Sequence, residues 1–282
     1  MLIDYPISVV VLQNGPKIIY LFGDCHGLNL PWESPNIKLS DILQNTFSIH
    51  NDAFFLFESK PEFMDVPPEK LRSTSYITTV RNLLHKDHKD KLIPVDIRNH
   101  KKRIVKDKDY LEEIKTKLGI EFEPLDDGEI LLSIFDEIYS EICKLDPSTL
   151  SYENLYEFDM VPMDLYTLSN ISSKKRKMVH EPEDIQSPKK KEKKNCIRTK
   201  MVYYGGNDHV NKLKKYLQHL GWTILYEYFS KKDEKNKFAE CEIQTIDLPD
   251  KFFNDGKLVF DSLFKTKKSK SKSKKSKSKS KK

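Results

Sequence analysis

Short apolar runs along the chain end abruptly in polar residues, and stretches with helical periodicity separate most of them. Residues 18–22 and 53–57 have the length of strands, and the second run is apolar throughout, which is typical of a strand buried on both faces. Residues 7–13, followed by Asn14 and Gly15, predict a strand and a hairpin turn. This alternation of strands and helices predicts an α/β fold, with a mainly parallel or mixed sheet and helices on both faces.

Helices are predicted where apolar positions recur every three to four residues. Ser40 is placed as the N-cap of the first helix, and Pro68 and Glu69 lie at the start of the second. The segment 128–145 has the clearest apolar face, and Gly221 ends the last helix. The helices after the first are predicted at 67–88, 110–118, 128–145, 151–169 and 207–220. The later strands are predicted at 92–95, 200–204, 222–229 and 241–248. The apolar face of the helix at 128–145 consists of Ile130, Ile134, Ile138 and Ile142.

The charge is unevenly distributed between a foldable body and two basic segments. Lys265 to Lys282 holds eleven lysines and no acid, and Lys174 to Lys200 holds eleven Lys or Arg against four acids. Because the whole chain carries +6, the rest of it carries −12, which argues against a nucleic-acid groove on the body. We predict one α/β domain formed by residues 1–171 and 200–264, a disordered basic insertion at 172–199 and a disordered Lys/Ser tail at 265–282.

The sequence favours a protein of the cell interior. No apolar run is long enough to cross a bilayer, and the N-terminus lacks the basic region and cleavage site of a signal peptide. The four cysteines are scattered, without the spacing of a metal knuckle or a disulfide framework, so we expect free thiols in a reducing compartment. They are Cys25, Cys143, Cys196 and Cys241.

Four of the predicted strands end in residues that can carry chemistry. The segments Gly23–His26 and Gly206–His209 share the spacing Gly-x-x-His. Glu58 ends the apolar run at 53–57, and Asp96 and Arg98 follow the next predicted strand. In a parallel sheet, ligands bind outside the carboxyl ends of the strands, so these clusters are predicted to line one site at that edge.

The residue types at this edge suit a divalent metal ion. His26, His209 and Glu58 provide two imidazoles and a carboxylate, which is a common ligand set of hydrolytic sites and suits Zn, Mn, Fe or Co. Asp208 is a further candidate ligand. The field of a helix N-terminus at His209 disfavours the imidazolium, so the sequence predicts a neutral ring that is ready to bind metal.

Four residues are candidates for catalysis. Glu58 is the first of them, and Asp24 and Asp96, like Asp208, offer carboxylates that add oxygen ligands, hold the second nitrogen of a histidine or act as a base. Arg98 is suited to neutralise an oxyanion or a substrate carboxylate or phosphate. Purely structural roles stay open for several of these residues. His26 is then hydrogen-bonded within a turn, and Asp208 caps a helix. For Asp96 and Arg98, a structural ion pair is the favoured interpretation.

The order of these motifs resembles proteins of large nucleocytoplasmic DNA viruses and, more remotely, the TraB/Tiki and erythromycin-esterase/ChaN-like group. In that group, paired Gly-x-x-His motifs and a glutamate form the active site, which depends on metal in the Tiki proteases. The resemblance spans residues 18–229 and matches at His26, Glu58 and His209, with Arg98 as the best-placed arginine. It implies an α/β metal-dependent hydrolase and, if the protein is viral, a location in the host cytoplasm or nucleus.

Two other functions remain open from the sequence. The segment Gly23–Gly27 is also similar to the first motif of calcineurin-like metallophosphoesterases. That family has a second Gly-Asp motif where this chain has Glu58, and its late Gly-Asn-His motif lacks the extra residue found here before His209. The third candidate is a non-enzymatic scaffold or virion-associated protein that holds nucleic acid without sequence preference through its basic segments.

The basic segments allow a test of the nucleic-acid hypothesis. Full-length protein is expected to bind duplex DNA or RNA weakly, with an affinity that falls steeply as salt rises, because the contacts are to phosphates. A variant without the insertion and the tail is expected to keep its fold and lose this binding. Titrations at two salt concentrations compare the proteins, and equal binding by both would place the nucleic-acid surface on the acidic body.

Overall fold

The computed structural model describes residues 2–25, 36–71, 75–99, 101–102, 104–125, 127–146, 148–149, 151–172, 199–229 and 245–260. Eleven strands and six α-helices lie within these residues. The strands are β1 (Leu2–Asp4), β2 (Ser8–Asn14), β3 (Lys17–Asp24), β4 (Ile37–Lys38), β5 (Ala53–Phe57), β6 (Leu92–Pro94), β7 (Lys200–Gly206), β8 (Thr223–Phe229), β9 (Thr245–Asp247), β10 (Phe253–Asn254) and β11 (Lys257–Leu258). The helices are α1 (Leu39–Ile49), α2 (Tyr76–His88), α3 (Lys108–Phe122), α4 (Gly128–Lys144), α5 (Tyr152–Ser172) and α6 (Asn207–His219).

A six-stranded mixed sheet forms the centre of the molecule, in the order β6-β5-β7-β3-β2-β8. The first four of these strands are parallel, whereas β2 runs antiparallel to both β3 and β8. Asn14 and Gly15 form the hairpin between β2 and β3, where Gly15 has a φ of 57° that suits glycine. The prediction of an α/β fold with a mainly parallel or mixed sheet is confirmed.

Helices cover both faces of this sheet. On the first face, which we call the α6 face, helices α3 to α6 pack against strand residues such as Leu21, Leu56 and Tyr203. On the opposite α1 face, helices α1 and α2 and the C-terminal described residues pack against Phe22 and Tyr204. Neighbouring strand residues therefore enter different cores, as the twofold repeat of a strand requires. The central strands consequently have continuous apolar sequences.

Two helices begin at different residues than the sequence predicts. Helix α1 has Lys38 as its N-cap, and Ser40 lies inside its first turn. Helix α2 begins at Tyr76 rather than near residue 67, because the Ser75 side chain accepts a hydrogen bond from Thr78 N and caps the helix there.

The buried face of α4 is also different from the prediction. Ile130 is 43% exposed, and Ile134 and Ile138 are half-buried. Leu131 and Phe135 are fully buried instead, because the stripe that packs on the neighbouring helices is rotated by one residue. Of the predicted isoleucines, Ile142 is buried in the core as well.

Residues 173–198 and 261–282 lie outside the described residues, and they include most of the predicted insertion and all of the predicted tail. Ser172 is buried at the end of α5 rather than in the insertion predicted to begin there. Strands from before and after the insertion are neighbours in one sheet, since β7 lies between β3 and β5.

Two further findings bear on the cell-interior prediction. Cys25 is disulfide-bonded, so the prediction of free thiols is wrong for this residue. Cys143 is a free and exposed thiol. Within the described ranges, no helix combines the length and apolar character needed to cross a membrane.

Substitutions in α4 test which of its faces is buried. Leu131→Ala is expected to lower the free energy of unfolding by about 2–5 kcal/mol, because it leaves a cavity in the core. Ile130→Ala, one residue away, is expected to change it by only about 0.5 kcal/mol, because that side chain is largely exposed. Urea unfolding of the two variants measures the difference, and a larger loss for Ile130→Ala would contradict the observed face.

Candidate functional site

The carboxyl ends of four strands meet along one edge of the sheet. Asp24, at the end of β3, is in register with Gly206 at the end of β7. Phe57, at the end of β5, is in register with Tyr204 in β7 and with Pro94 at the end of β6. The polar residues that follow these strands therefore lie along a single edge, as the parallel arrangement requires.

The Glu58 carboxylate is the central group of this edge. Arg98 Nη2 donates a hydrogen bond of 2.9 Å to Oε1, and the backbone N–H of Gly206 donates one of 2.8 Å to Oε2. His209 Nε2 lies 3.5 Å from Oε1. Only 11% of the Glu58 side chain is exposed, so each of these groups helps to compensate a poorly hydrated negative charge.

Arg98 is itself held by Asp96. Its Nε donates a 2.7 Å hydrogen bond to Asp96 Oδ1, and Nη2 donates one of 3.2 Å to Oδ2. The predicted ion pair is therefore present, and it also orients the guanidinium towards Glu58. With Nε and Nη2 engaged, Nη1 has no hydrogen-bond partner among the described residues. That nitrogen is the part of Arg98 that remains for an anionic group of a ligand.

Asp164 is a site residue that the sequence analysis missed. Its Oδ1 lies 2.5 Å from His209 Nδ1, and both side chains are almost completely buried. Helix α5 supplies Asp164, while His209 lies in the first turn of α6. The available signal was an isolated acid within the apolar stretch 160–168, because a buried carboxylate requires a partner. The local pattern did not identify that partner.

The surroundings of His209 favour its charged form. Burial by itself lowers the pKa of His209, but the carboxylates of Asp164 and Glu58 outweigh this effect and raise the pKa to about 9. The prediction of a neutral ring, which considered only the field of the helix N-terminus, is therefore wrong. A ligand that binds Nε2 as a metal ion does must displace a proton from this ring.

Asp24 and Asp208, two of the other predicted residues, lie apart from this cluster. Tyr20 and Phe22 point to the α1 face, and Asp24, two residues further along β3, points to the same face. There its Oδ2 accepts a 2.9 Å hydrogen bond from Tyr204 Oη. Asp208 is exposed, because successive helical residues point about 100° apart and His209 points inward. His26 lies outside the described residues.

The first glycine of the Gly23–His26 motif allows β3 and α6 to approach closely. A Cβ on Gly23 would lie 2.4 Å from Ser8 Oγ and 2.9 Å from Asn207 Cα. Ser8 Oγ in turn donates a 2.6 Å hydrogen bond to Asn207 Oδ1. Any larger residue at Gly23 would push away the start of α6 and with it His209.

The described part of the site fits a metal ion only in part. Glu58 and His209 are 3.5 Å apart, close to the spacing of about 3.4 Å between two ligands that each lie 2.1 Å from a tetrahedral ion. Asp164 engages Nδ1 and leaves Nε2 as the ligand atom, which is the usual arrangement of a metal-binding histidine. Across the described residues, no group of three or more His, Cys, Asp or Glu is arranged to hold a metal.

Comparison with known proteins adds no assignment to this geometry. No family model, no curated protein and no solved structure matches the chain. The side chains at the carboxyl edge are therefore the basis for assigning a function.

The raised pKa of His209 predicts that stability depends on pH. The pKa of histidine in the unfolded chain is about 6.5, so the charged ring stabilises the fold fully below that pH, and this contribution is lost as pH rises through about 9. The free energy of unfolding is expected to fall by at most about 3 kcal/mol over this range.

Urea unfolding at about pH 6, 8 and 10 measures this loss. Asp164→Asn is expected to reduce the pH dependence, because the amide removes the largest favourable charge from His209. His219→Gln, at the exposed end of the same helix, is the control and should retain it. A wild-type stability that stays constant between pH 6 and 10 would contradict the charged ring.

Proposed function

We propose that this protein is a hydrolase whose centre is the Glu58–His209 pair, with a divalent metal ion as its cofactor. The observation that carries the proposal is the position of His209 Nε2, which is buried, lies 3.5 Å from Glu58 Oε1 and has no hydrogen-bond partner in the part of the chain that the structure describes. Asp164 fixes the other ring nitrogen. An imidazole oriented in this way next to a carboxylate serves either a metal ion or proton transfer.

The charges of the site support a bound cation. Among the described residues of the cluster, three carboxylates face two cationic side chains when His209 is protonated. When bound, a divalent ion supplies a Lewis acid and a more acidic water. The protein's own part is to hold the reacting groups: Asp164 orients His209, Glu58 accepts and returns a proton, and Arg98 Nη1 binds an anionic oxygen of the substrate.

The metallophosphoesterase alternative receives less support. In that family, the aspartate and the histidine of the first motif bind one metal. Asp24 faces the α1 side of the sheet and accepts a hydrogen bond from Tyr204, whereas His209 and Glu58 lie on the α6 side. The late histidine and the first aspartate are therefore separated by the sheet itself.

Two properties predicted from the sequence stay proposals. Non-specific binding of nucleic acid is assigned to residues 174–200 and 265–282, whose charge supports it. A location inside the cell, in the host cytoplasm or nucleus if the protein is viral, is proposed on the basis of the resemblance.

Hydrolysis of simple probes tests the proposed activity. Full-length protein supplied in turn with Zn, Mn, Fe or Co is expected to cleave p-nitrophenyl acetate, bis(p-nitrophenyl) phosphate or a fluorogenic peptide. Glu58→Gln and His209→Ala should each reduce the rate of the cleaved probe by about 100-fold or more, as loss of an acid–base group does. His219→Ala, a histidine substitution at the exposed end of α6, should retain the rate. Equal rates for all four proteins would rule out this site.

Metal binding is tested separately from activity. Purified wild-type protein is expected to retain a divalent ion by elemental analysis, and its unfolding temperature should rise with the concentration of that ion. The double variant His26→Ala with His209→Ala should lose both effects. Unchanged metal content in the double variant would refute the ligand assignment and leave the hydrolysis test to decide the activity.

A further inference from the structure

Tyr203 lies close to Glu58 and has no role in the function proposed from the Glu58–His209 pair. It is fully buried in β7 and belongs to the core on the α6 face, the same side of the sheet as His209. Its neighbour Tyr204 belongs to the opposite core, where its hydroxyl is bonded to Asp24. The two adjacent tyrosines of β7 therefore lie on opposite faces of the sheet.

The Tyr203 side chain extends along β7 towards this edge and passes over Gly205. A Cβ on Gly205 would lie 2.3 Å from Tyr203 Oη and 2.8 Å from its ring. The same position is 3.2 Å from Glu58 Cβ. Only glycine leaves room for the phenol here, and the hydroxyl and Glu58 Cβ both border the position that a Gly205 side chain would take.

Within the described part of the chain, no group forms a hydrogen bond with the Tyr203 hydroxyl. Among the described residues it is the one buried tyrosine hydroxyl in this condition, since those of Tyr20, Tyr110 and Tyr204 are all bonded. Buried polar atoms without partners are rare in folded proteins and need an explanation. Two further examples, Asp164 Oδ2 and His209 Nε2, belong to the same site.

The hydroxyl keeps its proton under all ordinary conditions. Burial raises the pKa of Tyr203 well above its usual value, and the negative charges of Glu58 and Asp164 raise it further. Tyr203 is therefore a neutral O–H donor in surroundings of low polarity, where a hydrogen bond to a developing negative charge is strong.

We propose that Tyr203 is a further catalytic residue, whose hydroxyl donates a hydrogen bond to the substrate oxygen that gains negative charge at the Glu58–His209 pair. This inference rests on the proposed hydrolase function. It assigns a substrate class with a polarisable oxygen, a carbonyl or phosphoryl group, and gives Gly205 the role of admitting the phenol. Arg98 and Tyr203 then supply one charged and one neutral donor to the same reaction.

Tyr203→Phe tests the proposal because it removes only the hydroxyl. With the probe that the wild-type protein hydrolyses, kcat is expected to fall about 100-fold with little change in KM, as loss of one donor to an oxyanion does. Tyr20→Phe is the matched control, since this tyrosine is equally buried but donates its hydroxyl to backbone carbonyls on the α1 face. It should retain kcat. Equal kcat values for Tyr203→Phe and wild type would overturn the proposal.

Thermal unfolding tests whether the Tyr203 hydroxyl lacks a partner, and it needs no measurement of activity. Tyr203→Phe is expected to unfold at or above the wild-type temperature, because no hydrogen bond is lost, whereas Tyr20→Phe should unfold about 2–4 °C lower. A Tyr203→Phe variant as destabilised as Tyr20→Phe would show that the hydroxyl has a partner in the folded protein and would overturn the proposal. If the wild type hydrolyses no probe, the proposed function fails, and this stability comparison still tests the unpartnered hydroxyl.

Discussion

The negative charge of Glu58 is the constraint around which the carboxyl edge is organised. It stands at the end of an apolar strand, where water reaches little of it, so the protein must provide its compensation. The guanidinium of Arg98 comes from the segment after β6, the N–H of Gly206 from the end of β7, and the imidazolium of His209 from α6. Each partner comes from a different part of the chain, so the charge of Glu58 is compensated only when all of these segments are packed together.

The outer members of the cluster extend this compensation. Asp96 fixes Arg98, and Asp164 fixes His209, so acids and bases alternate from one end of the site to the other. In such a series each charge has opposite charges as its nearest neighbours, and removal of an inner member leaves an uncompensated buried charge that costs about 3–5 kcal/mol. The same arrangement holds the His209 ring in one orientation. Structural stability and readiness for chemistry thus depend on the same contacts.

The part of this site that follows from strand position could be predicted from the sequence. Glu58 and Arg98 each follow an apolar run, and parallel strands bring such positions to one edge whatever the details of packing. Asp164 could not be found in this way, because the helix pattern of α5 does not indicate which helix lies against it. The charge state of His209 was predicted wrongly for the same reason: the local field of α6 is visible in the sequence, whereas the carboxylate 45 residues away is not. The buried face of α4 was predicted one residue away from the face that is observed, because its apolar stripe is wide enough to allow either orientation.

The strand order has a consequence for how the chain is made. β7 joins β3 to β5 in the sheet, yet it follows both in sequence and comes after the basic insertion. As the chain leaves the ribosome, the β2–β3 hairpin and the β5–β6 pair are complete long before the strand that unites them. Until residues 200–206 emerge, the inner edges of β3 and β5 are open apolar strands that can pair with other chains. The time for which these edges stay unpaired during synthesis depends on the translation of residues 95–199, which include α3, α4 and α5 as well as the insertion.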